Sequence, residues 1–289
     1  RPDARLRDVE TSGGRVREID SAAIKSHAGR RFRSEYDYAL FEYYRSAKLI
    51  DFLDRAGVRI GGRVLDCGCG GGGMPLSLAE HADHVTGIDP QDRFSQAGVT
   101  LARERHIDNV SFVRTDGMAL PFASGTFDLV LSHSVIEHVA DAALYLKECR
   151  RVMKNGGRFY LSTAPYLSPP GAHLPHLLVP VPVYLFLGRP LAFRTFRWLA
   201  RHAPWMLREP ADENSFIRDA RMGLVKHDDL LEKVRMRRLR GLIADAGLRV
   251  AHEHLHVIGS VRRLPPAISR WLRDSRLTQD IVLGNVELV

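Results

Sequence analysis

Cysteine is scarce: there are three in 289 residues, and two of them sit in Cys67-Gly68-Cys69. That count excludes the disulfide framework of a small secreted scaffold and points to reduced thiols. A Cys-x-Cys pair can chelate a metal, but one further cysteine cannot complete a four-thiolate set, so the pair reads as small buried side chains. Long apolar runs are also missing. The longest, LPHLLVPVPVYLFLG at 174–188, carries three prolines and a histidine. It is shorter than the roughly 20 residues that a membrane-crossing helix needs. Such a run can cover an apolar substrate or lie on a bilayer surface. No leader-like apolar segment follows Arg1, so the expectation is a trimmed, cytoplasmic chain, at most peripheral at the inner membrane surface.

Acid is in deficit, with 34 Asp and Glu against 42 Lys and Arg and a formal charge of +8. The excess favours anionic partners. It is concentrated in residues 1–33 and 189–240, where KVRMRRLRGL (233–242) has five cations in ten residues. A solvated helix face accounts for that run. Hydrophobic residues at 45 % and charged residues at 26 % are ordinary for a globular chain that buries a substantial core.

Glycine is abundant at one place. VLDCGCGGGGMPLSLAEHA (64–82) puts five glycines into the six positions 68–73. So dense a run cannot continue a regular helix or strand, so a close approach to the backbone is expected there. Around it the pattern alternates. A helix over 36–56 has Tyr36, Leu40, Tyr43, Ala47 and Ile50 on one face. Strands are expected at 63–67, 84–89, 110–116, 127–135 and 157–165, with helices between them, one opening at Pro90 and one over 136–154. Alternation with short connections makes a parallel sheet covered on both faces. Residues 166–225 break the period. A helix at 227–248, a strand at 249–260, a helix near 268–277 and a final strand, IVLGNVELV, complete the chain.

The order strand, Asp66-x-Gly68-x-Gly70, helix places a ligand at the carboxyl end of the first strand. Gly68, Gly70 and Gly73 fit a dinucleotide spacing, but Asp66 would repel a pyrophosphate. S-adenosylmethionine suits the residues better, since its sulfonium and ammonium are attracted by carboxylates. Asp66 suits the methionine end, Asp89 can accept from the ribose hydroxyls, and Asp116 suits the adenine amino group with Gly117 and Met118 against the ring. Three strand tips ending in acid converge on one crevice.

The segments VLDCGCGGG, VTGIDP, VRTDGMALPFASGTFDLVLSHSVIEHV and LKECRRVMKNGGRFYLSTAP resemble the class I S-adenosylmethionine-dependent methyltransferases, small-molecule branch, which includes quinone-biosynthesis and sugar O-methyltransferases. The resemblance covers residues 35–165. It implies a Rossmann-like α/β fold: a seven-stranded, mostly parallel sheet with helices on both faces, an antiparallel last strand and a cover inserted after strand five. The domains then read as a basic extension at 1–34, a cofactor-binding core at 35–165, an acceptor cover at 166–225 and completion of the sheet at 226–289. The resemblance implies cofactor contacts at Asp66, Gly68, Gly70, Asp89, Asp116 and Gly117, with His133 near the methionine end.

Methyl transfer to a hydroxyl needs a base beside the crevice. His133, Glu137, His138, His173 and His176 are the candidates, with His138, Glu137 and His173 placed first; His173 and His176 are read as sharing one helical turn. In quinone O-methyltransferases this helix start reads Glu-x-x-Glu-His and is linked to a divalent metal. Ser134 stands here in place of the first glutamate, so a metal-free reaction is favoured. Nucleic-acid amino methyltransferases carry an (N/D)PP(Y/F) motif where this chain reads SHSV, which argues against nucleic acid as partner. Aromatic and arginine residues in the cover suit a sugar or lipid-linked hydroxyl at a membrane surface. The alternative acceptor is an isoprenoid quinone or other apolar small molecule. A cofactor-binding regulator without turnover, or a nucleic-acid-binding module, is the competing class.

Overall fold

The computed structural model describes residues 19–31, 33–94, 96–178, 183–208, 215–223 and 233–289. Most of the basic N-terminal extension and the start of the helix expected at 227–248 lie outside these residues.

Helices α1 (Ser21–Ala28) and α2 (Glu35–Arg55) precede the first strand. Ser34 caps α2 by accepting from the Asp37 amide, which fixes where the helix begins. The core then alternates β1 (Arg63–Cys67), α3 (Gly73–Ala79), β2 (His84–Asp89), α4 (Ala97–Arg105), β3 (Val110–Arg114) and β4 (Phe127–His133). A short 3-10 turn at Ile136–His138 leads to α5 (Ala142–Val152), capped by Asp141, and to β5 (Met153–Thr163). The 166–225 segment, expected as a cover, contributes α6 (Val183–His202) and α7 (Ser215–Met222). The chain ends with α8 (Met236–Asp245), β6 (Glu253–Val257), α9 (Gly259–Arg262), α10 (Pro266–Asp274), α11 (Gln279–Val282) and β7 (Leu283–Leu288).

The seven strands lie in the order β3-β2-β1-β4-β5-β7-β6. β1 to β5 are parallel, and β7 runs antiparallel to both β5 and β6. The seven-stranded sheet with an antiparallel last strand is therefore as the sequence implies. The order reverses between β1 and β4, and a crevice opens at the carboxyl ends there. One face packs α5 and α8 through Tyr145, Leu146, Cys149, Met236 and Ile243; the other packs α2 and α3 through Ile50, Leu53, Met74 and Leu78. All three cysteines are free and buried.

The helix expected to open at Pro90 begins only at Ala97. Asp89 accepts from the Gln91 amide at 2.8 Å, so the chain turns around the crevice before it coils. β3 stops at Arg114, which leaves Asp116 two residues beyond the strand. The cover has a small core of its own, in which Phe193, Phe196, Leu199, Leu207 and Ile217 are buried together. α6 is broken at Gly188 (φ 69°), just ahead of Pro190. No helix among the described residues is long and apolar enough to cross a membrane.

Candidate methyl-donor site

A crevice of about 740 Å³ lies at the reversal point, floored by the tips of β1, β2 and β4. Asp66, Gly68, Gly70, Asp89, Asp116, Gly117, Met118 and His133, all expected from sequence, line it. The glycine loop is pinned from below, because the Gly68 and Cys69 amides both donate to the Ile88 carbonyl at 2.8 Å. Gly68 adopts φ +79°, and a Cβ there would meet Val135 Cγ2 at 2.4 Å, so only glycine fits.

The glycine run divides into two functions. Above Gly70 nothing lies within 4 Å, which leaves backbone open to the crevice. Gly73 turns the other way: a Cβ there would stand 1.8 Å from the Ala39 carbonyl oxygen. Protein, not ligand, makes the close approach at Gly73, because α2 crosses the start of α3 at that point.

Asp89 ties the loop to β2. Its Oδ2 accepts from the Gly70 amide at 3.0 Å and its Oδ1 from Gln91, with lone pairs left over for vicinal hydroxyls. Asp116 is exposed and accepts from the Met118 amide at 2.9 Å, which fixes the turn under Gly117. Asp66 is only 2 % exposed. Burial, then the neighbouring Glu42 and Asp89 carboxylates, push its carboxyl well above the usual range. No cation offsets that rise, so a cationic ligand bound there would favour the ionised carboxylate.

α2 supplies a wall that sequence reasoning missed. Tyr38, Glu42 and Arg45 line the crevice opposite the strand tips, and Arg45 pairs with Glu42 at 2.9 Å. Burial raises the Glu42 carboxyl despite that arginine. The signal was present in the sequence: 38, 42 and 45 follow helical spacing, as a polar stripe beside the apolar one.

A family model described as a methyltransferase domain matches residues 65–161. The ubiquinone biosynthesis O-methyltransferase of Hahella chejuensis is 36 % identical over 155 residues, 51 % of this chain and 63 % of that protein. The enzyme of the same name from Caulobacter vibrioides is 36 % identical over 100 residues, 35 % of this chain and 40 % of that protein. The chain thus matches less than two thirds of the length of these relatives. A solved S-adenosylmethionine-dependent methyltransferase from Mesorhizobium loti superposes with a TM-score of 0.51 at 18 % identity, covering 82 % of this chain and 94 % of that one, and shares the fold.

Residues 65–161 match the methyltransferase-domain family.

Two of the candidate bases, Glu137 and His138, sit in the 3-10 turn that follows β4. His138 is exposed and lines the crevice. His173, from the cover, places its ring 5.3 Å from that of His138 at 46°. It does so from a left-handed backbone, φ +51°, so the helical turn expected to align His173 with His176 does not exist. His176 is exposed, outside the crevice lining, and its carbonyl accepts from the Arg208 amide. Glu137 does not line the crevice either. It is 5 % exposed and accepts from Thr163 Oγ1 at 2.9 Å, which braces the turn against β5. Burial raises its carboxyl. Donor atoms of Glu137, His138 and His173 lie within 4.8 Å of one another, a spacing that one divalent cation can span.

Asp66 gives the methyltransferase domain a pH signature. A carboxyl raised in the folded state contributes stability below its unfolded pKa and loses it as pH rises through the folded value. A cationic ligand favours the ionised form, so stabilisation by S-adenosylmethionine is expected to grow as pH rises above the ordinary carboxylate range. Thermal unfolding with and without the donor measures this. In Asp66→Asn the pH dependence should flatten.

Proposed function

We propose that the chain transfers a methyl group from S-adenosylmethionine to a hydroxyl of an apolar small molecule of the isoprenoid-quinone type. The observation that carries the reading is a crevice lined both by the buried carboxyl of Asp66 and by His138, whose ring lies 5.3 Å from that of His173. The names of the relatives support a quinone-type ring over the sugar or lipid-linked hydroxyl that the sequence put first.

The donor supplies an electrophilic methyl on sulfur. Asp66 and Glu42 attract its cationic end, and Asp89 fixes the ribose. His138 takes the proton as the acceptor oxygen bonds to the methyl carbon and the carbon–sulfur pair returns to sulfur. Collinear alignment of this kind contributes roughly 7–11 kcal/mol in favourable cases. Glu137, held by Thr163, positions the turn. Were a divalent ion required, Glu137, His138 and His173 would hold it and lower the acidity barrier of the hydroxyl.

The cover presents apolar surface to the acceptor's surroundings: Phe186, Trp198 and Trp205 are exposed among arginines, as is Trp271 on α10. Contact with an anionic bilayer, from which an apolar acceptor would be drawn, belongs to the same reading.

Methyl-labelled donor, incubated with a polyprenyl hydroxyquinone in phosphatidylglycerol vesicles, tests it. Label is expected in the extracted quinone. His138→Ala should lower the rate about 10²–10⁴-fold with donor affinity unchanged. A parallel chelator arm reads metal dependence. Label entering glycan or RNA instead, with none in quinone, would overturn the acceptor assignment.

A further inference from the structure

Four polar side chains on neighbouring strands form a hydrogen-bonded line from the crevice to the edge of the sheet. His133 Nδ1, at the end of β4, lies 3.3 Å from the Tyr160 hydroxyl on β5, with the two rings within 6° of parallel. Tyr160 donates to Glu287 Oε1 on β7 at 2.8 Å. Glu287 Oε2 stands 2.5 Å from His256 Nε2 on β6. Tyr160 is fully buried, the Glu287 side chain is 13 % exposed and that of His256 is 45 % exposed. A buried polar line is costly unless every member is partnered, so its presence in a sheet interior needs a reason.

The direction of the donors follows from the proton count. Burial alone would raise the Glu287 carboxyl, but hydrogen bonds from His256 and Tyr160 outweigh it and hold the group below the usual range. Glu287 is therefore a carboxylate, which only accepts. Tyr160 has one proton and gives it to Glu287, so its oxygen must accept from His133. Burial pushes the His133 imidazole down to about 3, with Arg45 adding to the effect. The ring stays neutral, with its single proton on Nδ1. His133 Nε2 makes no hydrogen bond among the described residues, is not among the fully buried atoms lacking a partner, and belongs to a side chain that lines the crevice.

We propose that Glu287, acting through Tyr160, locks His133 in the Nδ1-protonated tautomer, so that its bare Nε2 is a fixed acceptor for the ammonium of the methyl donor's amino-acid end. The guanidinium of Arg45, on the α2 wall and already paired with Glu42 at 2.9 Å, is the cation that faces the carboxylate of that same end. Opposite polarities on the two walls then fix how the amino-acid moiety sits. Glu287 and Tyr160 are positioning residues, and His133 is the group that touches the ligand. This rests on the reading of the crevice as the donor site.

Calorimetric titration separates the two claims. The probes are S-adenosylhomocysteine, which keeps the ammonium, and 5′-methylthioadenosine, which lacks the whole amino-acid end. In Glu287→Gln the amide can donate to Tyr160, whose proton then turns to His133 Nδ1 and leaves Nε2 protonated against the ammonium. S-adenosylhomocysteine affinity should fall about 10-fold or more, with 5′-methylthioadenosine unchanged. Tyr160→Phe, which releases the tautomer without inverting it, should lose less, and Glu287→Asp should recover part of the loss. The ¹⁵N shifts of the His133 ring report the tautomer in each variant. Equal losses for both probes, or an unchanged preference in both Glu287→Gln and Tyr160→Phe, would overturn the proposal. Absence of binding of either probe to the unaltered chain would instead overturn the donor site itself.

Discussion

Asp89→Ala is expected to weaken S-adenosylmethionine binding by about 1–3 kcal/mol, roughly 5- to 150-fold, with the chain still folded. Two losses add. The carboxylate is the acceptor offered to the ribose hydroxyls, and it also holds the Gly70 amide at 3.0 Å and the Gln91 amide at 2.8 Å. Without it the open stretch of backbone at Gly70 loses its tie to β2. Asp89→Asn keeps one acceptor oxygen and should lose less. Calorimetry reads both variants, and an Asp89→Ala affinity equal to that of the unaltered chain would remove Asp89 from the site.

Gly73→Ala should damage the fold. The added Cβ would stand 1.8 Å from the Ala39 carbonyl oxygen, 2.7 Å from the Ala39 carbonyl carbon and 2.9 Å from the Tyr43 amide nitrogen. All three are backbone atoms, so no rotamer change relieves the clash and α2 must move. Overpacking of a core costs typically about 1–3 kcal/mol, and a backbone clash belongs at the upper end. Moving α2 also carries Glu42 and Arg45 off the crevice wall, so donor affinity should fall with stability. Gly70→Ala is the contrast. Nothing lies within 4 Å of its added Cβ, and the expected cost is the left-handed φ of +53°, about 1–2 kcal/mol. Thermal unfolding of the two variants tests the division of the glycine run directly. Equal destabilisation would mean that the loop packs otherwise than described.

The strand tips were legible because their chemistry is local. Asp66 and Asp89 each close an apolar run, with Asp116 two residues beyond β3, and a parallel sheet gathers carboxyl ends wherever the chain order reverses. The glycine run was legible only in part. Its density announces a close approach, but which glycines face a ligand and which face α2 depends on how α2, whose Ala39 lies 34 residues before Gly73, crosses α3. The stripe Tyr38, Glu42 and Arg45 was in the sequence at helical spacing. What gives it meaning is its position opposite Asp66, a long-range fact. Glu287 lies 127 residues from Tyr160, and no local pattern pairs them. His173 and His176 were misjudged because spacing alone implied a helical turn. The positive φ at His173, within the proline-rich 166–178 stretch, is incompatible with the helical turn that the spacing implied. The opening of α4 slipped from Pro90 to Ala97 for a similar reason: an Asx-type turn at Asp89 competes with helix nucleation.

Titration of the unaltered chain with S-adenosylmethionine, run beside an identical titration with NAD, bears most directly on the crevice. One donor bound per chain, with no heat from the dinucleotide, is expected from buried acid that attracts a sulfonium and repels a pyrophosphate. Binding of NAD, or silence from the donor, would contradict it.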